Sequence, residues 1–286
     1  MKKIESIEEL EGKARELRIT TLKMIHAAGS GHPGGSLSAA DLLTAIYYRF
    51  MRFKADQPNW PERDRLILSK GHCCPILYAI LADQGYFEKE KLMTLRKMGS
   101  ILQGHPDRNK TPGIEVSSGS LGQGLSVAAG MALAGKIDKK PYKTYCILGD
   151  GEFQEGSNYE ALMAAAHFRI PNLVAILDYN QIQQCGMVKD IMHIDPVGEK
   201  VKAFGWKVYE IDGHDMGEIV MTLEKAQKDT QPVFIVAHTV KGKGVSFMEL
   251  NKDFHGRAPS DAELHAALQE LGTVTSTQHP AQGGVA

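Results

Sequence analysis

The stretch Thr144-Tyr145-Cys146-Ile147-Leu148-Gly149-Asp150-Gly151-Glu152 decides the fold. Its first five residues form a short apolar run suited to a strand buried on both faces, and Gly-Asp-Gly then breaks it. A second run, Leu173 to Leu177, ends in Asp178-Tyr179-Asn180. The 28 residues between Gly151 and Asn180 have room for a turn, a helix expected over Glu155–Phe168, and one returning strand. Strands joined in this way are parallel, so both ends emerge at the same edge of the sheet, where ligands of open α/β sheets bind. Asp150 and Asn180 are thereby predicted to converge.

The same rhythm continues on either side. Ser6 followed by Glu9 is a capping box, and Leu10, Leu17, Leu22 and Ile25 suit an amphipathic helix running to Ala28. A glycine-rich loop over 29–35 precedes a helix from about Ser38. Arg65–Ser69 reads as a strand, Cys73–Gln84 and Lys89–Lys97 as helices, and 99–120 as a long irregular stretch of the kind that carries function. Helix Leu121–Ala134 leads into the deciding stretch. Beyond it come helix Gly198–Phe204, strand Lys207–Ile211, helix Gly217–Lys228 and strand Val233–His238. A loop over Thr239–Pro259 is rich in Gly and Lys, and Ser260 with Glu263 caps a last helix. The pattern predicts one α/β domain over 1–272, a mostly parallel sheet with helices on both faces, then a disordered tail over 273–286.

Composition narrows the function. The 286 residues are 43% hydrophobic and 23% charged, and 33 basic against 34 acidic residues leave a net charge of -1, with no global footprint for nucleic acid. No apolar stretch approaches the roughly 20 residues of a membrane span, and Met1–Leu17 lacks the apolar core of a signal peptide. The four cysteines, Cys73, Cys74, Cys146 and Cys185, have no metal spacing and read as small core residues of a reducing cytoplasm.

The chemistry of the two strand ends fits magnesium. A hard cation takes oxygen ligands in an octahedron, commonly one or two from protein and the rest from phosphates and water. Asp150 offers a carboxylate, Asn180 an amide oxygen, and the backbone carbonyl of Ile182 completes the set. Gly149 and Gly151 leave room for a diphosphate, and the helix beginning near Glu155 points free N–H groups at anions. Gly-Asp-Gly alone is an ordinary turn; an Asn at this spacing on the next strand makes the pair the thiamine diphosphate motif.

Further segments narrow the family. Ser30-Gly31-His32-Pro33-Gly34, Leu68-Ser69-Lys70-Gly71-His72, Gly104-His105-Pro106, Gly119-Ser120-Leu121-Gly122-Gln123-Gly124 and His255-Gly256 occur in transketolase order and spacing. From about Thr20 to Leu271 the chain resembles the N-terminal, diphosphate-binding domain of transketolase. The resemblance implies the thiamine diphosphate-binding (PP) fold, with thiamine diphosphate and magnesium, or calcium or manganese in its place. It implies that His32, His72, His105 and His255 touch sugar hydroxyls and assist proton transfer, His72 and His255 also meeting the cofactor. Lys70 and Lys241 would offset diphosphate charge. The backbone of Gly119, Ser120 and Leu121 would lie against the cofactor's ring portion, with Gly149, Asp150, Gly151, Glu152 and Asn180 around its diphosphate. Glu155 would be an interface acid coupled to a glutamate of a neighbouring subunit. The remaining histidines, His26, His167, His193, His214, His238, His265 and His279, read as solvated or hydrogen-bonded surface residues.

The family's second half carries the cofactor-activating glutamate and most sugar-phosphate ligands, and none has a counterpart here. A C-terminal subunit holding the pyrimidine-binding and C-terminal domains is therefore expected, with two copies of each chain. The expected reaction moves a two-carbon ketol unit from a ketose phosphate to an aldose phosphate. At this level three alternatives stay open. They are a deoxyxylulose-phosphate synthase, the alpha subunit of a 2-oxo acid dehydrogenase, and a non-catalytic cofactor-binding subunit.

Overall fold

A computed structural model of the chain describes residues 2–273; of the tail expected over 273–286, residues 274–286, including His279, lie outside them. Five strands form one sheet: β1 (Arg65–Leu68), β2 (Thr144–Gly149), β3 (Leu173–Tyr179), β4 (Lys207–Asp212) and β5 (Val233–His238). Their order is β1-β2-β3-β5-β4, and every neighbouring pair is parallel. The α/β class read from the sequence is the class observed.

Alternation along the strands splits the core into two layers. Tyr145, Ile147, Val174, Ile176, Val233 and Ile235 face one way, against α1 (Ile7–Ala28), α3 (Ala40–Ala45), α4 (Cys74–Asp83) and α9 (Met216–Lys228). Cys146, Leu148, Leu173, Ala175, Leu177, Phe234 and Val236 face the other, against α5 (Gly124–Ile137), α6 (Gly156–His167) and α8 (Val197–Ala203). Each fully buried Leu, Val, Ile or Phe contributes roughly 1.5–3 kcal/mol relative to exposure. A third cluster packs Val245, Met248 and Phe254 of the 239–259 loop on Leu22, Leu37, Ala267 and Leu271, seating that loop between α1, α2 (Pro33–Ser38) and α10 (Asp261–Thr273). The four-residue α7 (Val188–Ile191) follows β3.

Several boundaries differ from expectation for local reasons. The glycine-rich loop is shorter than expected, because Pro33 opens α2 at a position where its missing N–H costs nothing. Helix α5 begins at Gly124 rather than Leu121, since Gly122 adopts φ 85° and cannot sit in a right-handed helix. The segment Lys89–Thr94 is a 3-10 turn rather than a helix reaching Lys97. Ser6 does cap α1, its hydroxyl accepting from the Glu9 N–H at 3.4 Å.

A buried ion pair and a histidine hydrogen bond, both centred on Asp41, tie α1, α3 and the segment before α9 together. Arg18 of α1 grips Asp41 of α3 with both terminal nitrogens, at 2.9 and 2.6 Å. His214 joins from the other side, its Nδ1 2.7 Å from Asp41, while its Nε2 accepts the Val240 N–H at 2.8 Å. His214 is therefore a buried strut rather than a surface histidine, and it fixes the residue before Lys241. Cys185 also departs from expectation: it is exposed, whereas the other three cysteines are buried.

Candidate active site

Gly149 at the end of β2 is the register partner of Asp178 in β3, and Asp178 is that of Ala237 in β5. This alignment brings the Asp150 and Asn180 loops together over a cavity of about 290 Å³ at the carboxyl edge of the sheet. Of the expected residues, Lys70, His72, Leu121, Gly149, Asp150, Gly151, Glu152, Glu155, Asn180, Ile182, Lys241 and His255 line it. Gly119, Ser120, His32 and His105 do not. They form an adjoining layer in which His32 lies 5.1 Å from His72, 5.3 Å from His255 and 6.4 Å from His105, ring centre to ring centre. Gly119 lies against His105, where an added Cβ would sit 3.0 Å from the ring.

The buried acids have different duties. Asp150 accepts the N–H groups of Gly151, at 2.7 Å, and Gln181. Burial, and then the charge of Asp178, push its carboxyl up to about 6, so the ionised form lacks a compensating cation. Asp178 is fully buried and lies at the hub of the site, accepting from Lys70, Ser38 and Thr239. Burial would neutralise both Lys70 and Asp178, but each holds the other charged: the ammonium is raised and the carboxyl lowered. Lys70, which lines the cavity, is thus charge-matched by Asp178 within the chain. Glu152 is braced as well, accepting from Ser69, from the Gly122 N–H at 2.9 Å and from the Gly149 N–H at 3.1 Å. Its carboxylate ties the ends of β1 and β2 to the 119–124 loop.

Lys241 is the cation that faces the cavity. Its ammonium donates to the Ile182 carbonyl at 2.7 Å and to His255 Nδ1 at 2.9 Å. Asn180 Oδ1 accepts the Ile182 N–H at 3.2 Å. Burial first, then nearby cations and histidines, push His32 and His255 down to about 4 and His72 well below its ordinary value. Near neutral pH these are uncharged imidazoles. The buried Nδ1 of His32 has no hydrogen-bond partner among the described residues. Glu155 is exposed, with no side-chain hydrogen bond among the described residues.

Sequence reasoning missed Gln154 and Gln183, which line the cavity and bond to each other at 2.8 Å. It also missed Gly35, where a Cβ would fall 2.6 Å from Cys73 Sγ, and Asp178 as the hub. Asp178 stands two residues before Asn180 at the end of a buried strand, and an acid there was the signal to follow.

A parallel sheet with such a cavity at its carboxyl edge defines an α/β protein of the open-sheet class. Compared with known proteins, residues 11–281 match the family "Transketolase, thiamine diphosphate binding domain". The chain belongs to that family. It is 45% identical to the 6-deoxy-6-sulfo-D-fructose transketolase subunit of a Clostridium species, over 92% of this chain and 96% of that one. It is 42% identical to one subunit of the apulose-4-phosphate transketolase of Phocaeicola vulgatus, over 93% and 94%. The transketolase structure from Campylobacter jejuni superimposes with a TM-score of 0.89 at 34% identity, covering 94% of this chain and 43% of that one. Among the described residues no helix is long and apolar enough to cross a membrane.

Proposed function

We propose that this chain is the cofactor-holding subunit of a two-polypeptide transketolase, moving a two-carbon ketol unit from a ketose phosphate, or a similarly anionic ketose, to an aldose phosphate. The observation that carries the proposal is one cavity whose wall holds Asp150, Asn180 and Ile182 together with two of four packed histidines. Two relatives that the chain nearly spans are themselves described as subunits, which supports a separate partner polypeptide; the proposed assembly holds two copies of each chain.

The residues fit the cofactor pair. A buried carboxylate short of positive charge, an amide oxygen and a carbonyl are hard donors suited to magnesium, or to calcium or manganese in its place. Asp150, Asn180 and the Ile182 carbonyl would hold the ion, Lys241 withdrawing from that carbonyl to meet the diphosphate. Gly149 and Gly151 leave the diphosphate room, and the backbone of Gly119 to Leu121 would flank the ring portion. Thiamine diphosphate, when bound, supplies the electron sink that allows the donor's carbon–carbon bond to break. His32, His72, His105 and His255, as neutral imidazoles, would hydrogen-bond sugar hydroxyls through the ring nitrogens the chain leaves free, and a free ring nitrogen can take a proton from them. Lys241 holds His255 Nδ1 as an acceptor, which leaves Nε2–H to donate. Glu155, exposed on this chain, would meet a glutamate of the neighbouring subunit.

The test is ketol transfer from xylulose 5-phosphate to ribose 5-phosphate with magnesium and thiamine diphosphate, with and without the C-terminal subunit. Turnover only in the mixture is expected. Full turnover by this chain alone would overturn the two-polypeptide reading, and turnover of pyruvate instead of the ketose would assign a different thiamine diphosphate enzyme.

A further inference from the structure

Among the described residues no hydrogen bond holds the His105 ring, which stands exposed beside Gly119 and 6.4 Å from the His32 ring. Its aim is therefore set by the backbone that carries it. That backbone, 103–105, belongs to no helix or strand. No backbone N–H among the described residues donates to the carbonyls of Gln103, Gly104 or His105. Three successive carbonyls left unpaired beside a fully buried helix would be costly.

The first turn of α4 supplies the missing donors. Cys74 and Tyr78, four residues apart, share one face of that helix, and both are fully buried. The Tyr78 hydroxyl shares its proton between the Gln103 carbonyl at 3.0 Å and the His105 carbonyl at 3.2 Å. The Cys74 thiol reaches the Gly104 carbonyl at 3.3 Å and the Gln103 carbonyl at 3.6 Å. Burial pushes the thiol up to about 12 and the phenol well above its ordinary value, so both remain donors near neutral pH. Pro106, buried next in the chain, disfavours the helical region for His105 as well. The same helix starts from the turn Gly71–Cys73, which carries His72 into the cavity wall. One rigid element thus holds His72 at its start and the His105 peptide on its flank.

We propose that Tyr78 is a positioning residue for the sugar-facing histidine. Its hydroxyl, helped by the Cys74 thiol, fixes the 103–105 carbonyls and so aims the His105 ring towards His32, at a set distance from His72. This rests on the ketol-transfer reading and adds to it a residue that lies outside the cavity wall.

Tyr78→Phe removes the hydroxyl and keeps the ring. In the assembled enzyme it lowers kcat for ketol transfer about tenfold, less than the hundredfold that a misplacement of about 1 Å can cost. Thiamine diphosphate affinity holds to within about twofold. In a His105→Ala background the same change lowers kcat no further, because no ring is left to aim. Losses that multiply in the double variant mark a merely structural residue and overturn the proposal, and so does an unchanged kcat in the single one. Where Tyr78→Phe does not fold, Cys74→Ala enters the same cycle. Its expected loss is about threefold, the scale of one weak hydrogen bond, and again depends on His105. If the wild-type assembly transfers no ketol unit, the functional reading has failed, and the aim of the ring is read directly. Histidine ring resonances are then compared between the wild-type chain and Tyr78→Phe. Shifted His105 signals, with those of His167 on α6 unmoved, support the proposal. Unmoved His105 signals, or equal shifts of both, overturn it.

Discussion

The ammonium of Lys241 sits 2.7 Å from the carbonyl oxygen of Ile182, the same oxygen that magnesium would take. An ammonium and a divalent cation cannot share it. On the proposed reading the lysine would compete with the metal in the cofactor-free chain and would turn towards the diphosphate in the loaded one. Replacing Lys241 by Met is expected to strengthen magnesium binding to the cofactor-free chain. The same change weakens thiamine diphosphate binding by about tenfold or more, because a charged hydrogen bond is lost. Calorimetric titration with each ligand separately checks this; changes of the same sign for both would sink it.

Acidity should affect the empty chain in two opposed ways. His32 and His255, at about 4 in the fold, and His72, lower still, bind protons more readily when unfolded. Between about pH 4 and 6.5 each adds stability as pH rises. Asp150, at about 6 in the fold, binds its proton more tightly when folded and removes stability over much of that window. With His105, also lowered, the imidazoles outnumber the raised carboxyls of Asp150, Glu115 and Glu152, so the urea midpoint should climb from pH 4 to 6.5, and the climb should steepen in Asp150→Ala. A flat profile, or a shallower one in the variant, would contradict the assignment.

The brace around Glu152 leaves no room at Gly124. A Cβ there would lie 2.8 Å from the Ser69 Cα and closer still to its side chain. Gly124→Ala is expected to cost about 1–3 kcal/mol by overpacking. It should also loosen the bonds from Ser69 and the Gly122 N–H to Glu152, lowering cofactor affinity along with the melting temperature. An unshifted melt would show that the helix start can move without strain.

His105 stands outside the cavity wall, against Gly119 and near His32. Its replacement by Ala should reduce ketol transfer about a hundredfold, the typical scale of a lost proton-transfer group. Thiamine diphosphate affinity should hold to within about twofold, a difference too small to reflect a lost hydrogen bond. Steady-state kinetics and cofactor titration on one preparation separate the two, and equal losses would place His105 at the cofactor instead.

The strands and the meeting of Asp150 with Asn180 were legible because they depend on local pattern: apolar runs of strand length, glycine punctuation and the parallel geometry that a helical crossover enforces. Helix starts were less so, since Pro33 and Gly122 act through single backbone angles. Side-chain pairing was hidden altogether. Lys70 and Asp178 are 108 positions apart, and Asp41 and His214 are 173 apart, so nothing in the neighbourhood of either residue announces its partner.

The locked pair of Lys70 and Asp178 has a consequence for the order of loading. With those two charges cancelled and Glu152 held by Ser69, Gly122 and Gly149, the empty pocket presents the acid Asp150, the exposed Glu155 and the ammonium of Lys241 to whatever enters. A bare diphosphate is repelled by the acids, and a bare cation is opposed by the ammonium. Arriving as a complex, metal and diphosphate satisfy both at once. The chain is thus built to select the metal-complexed cofactor over either component, and its occupancy in a cell would follow the concentration of that complex rather than of total cofactor.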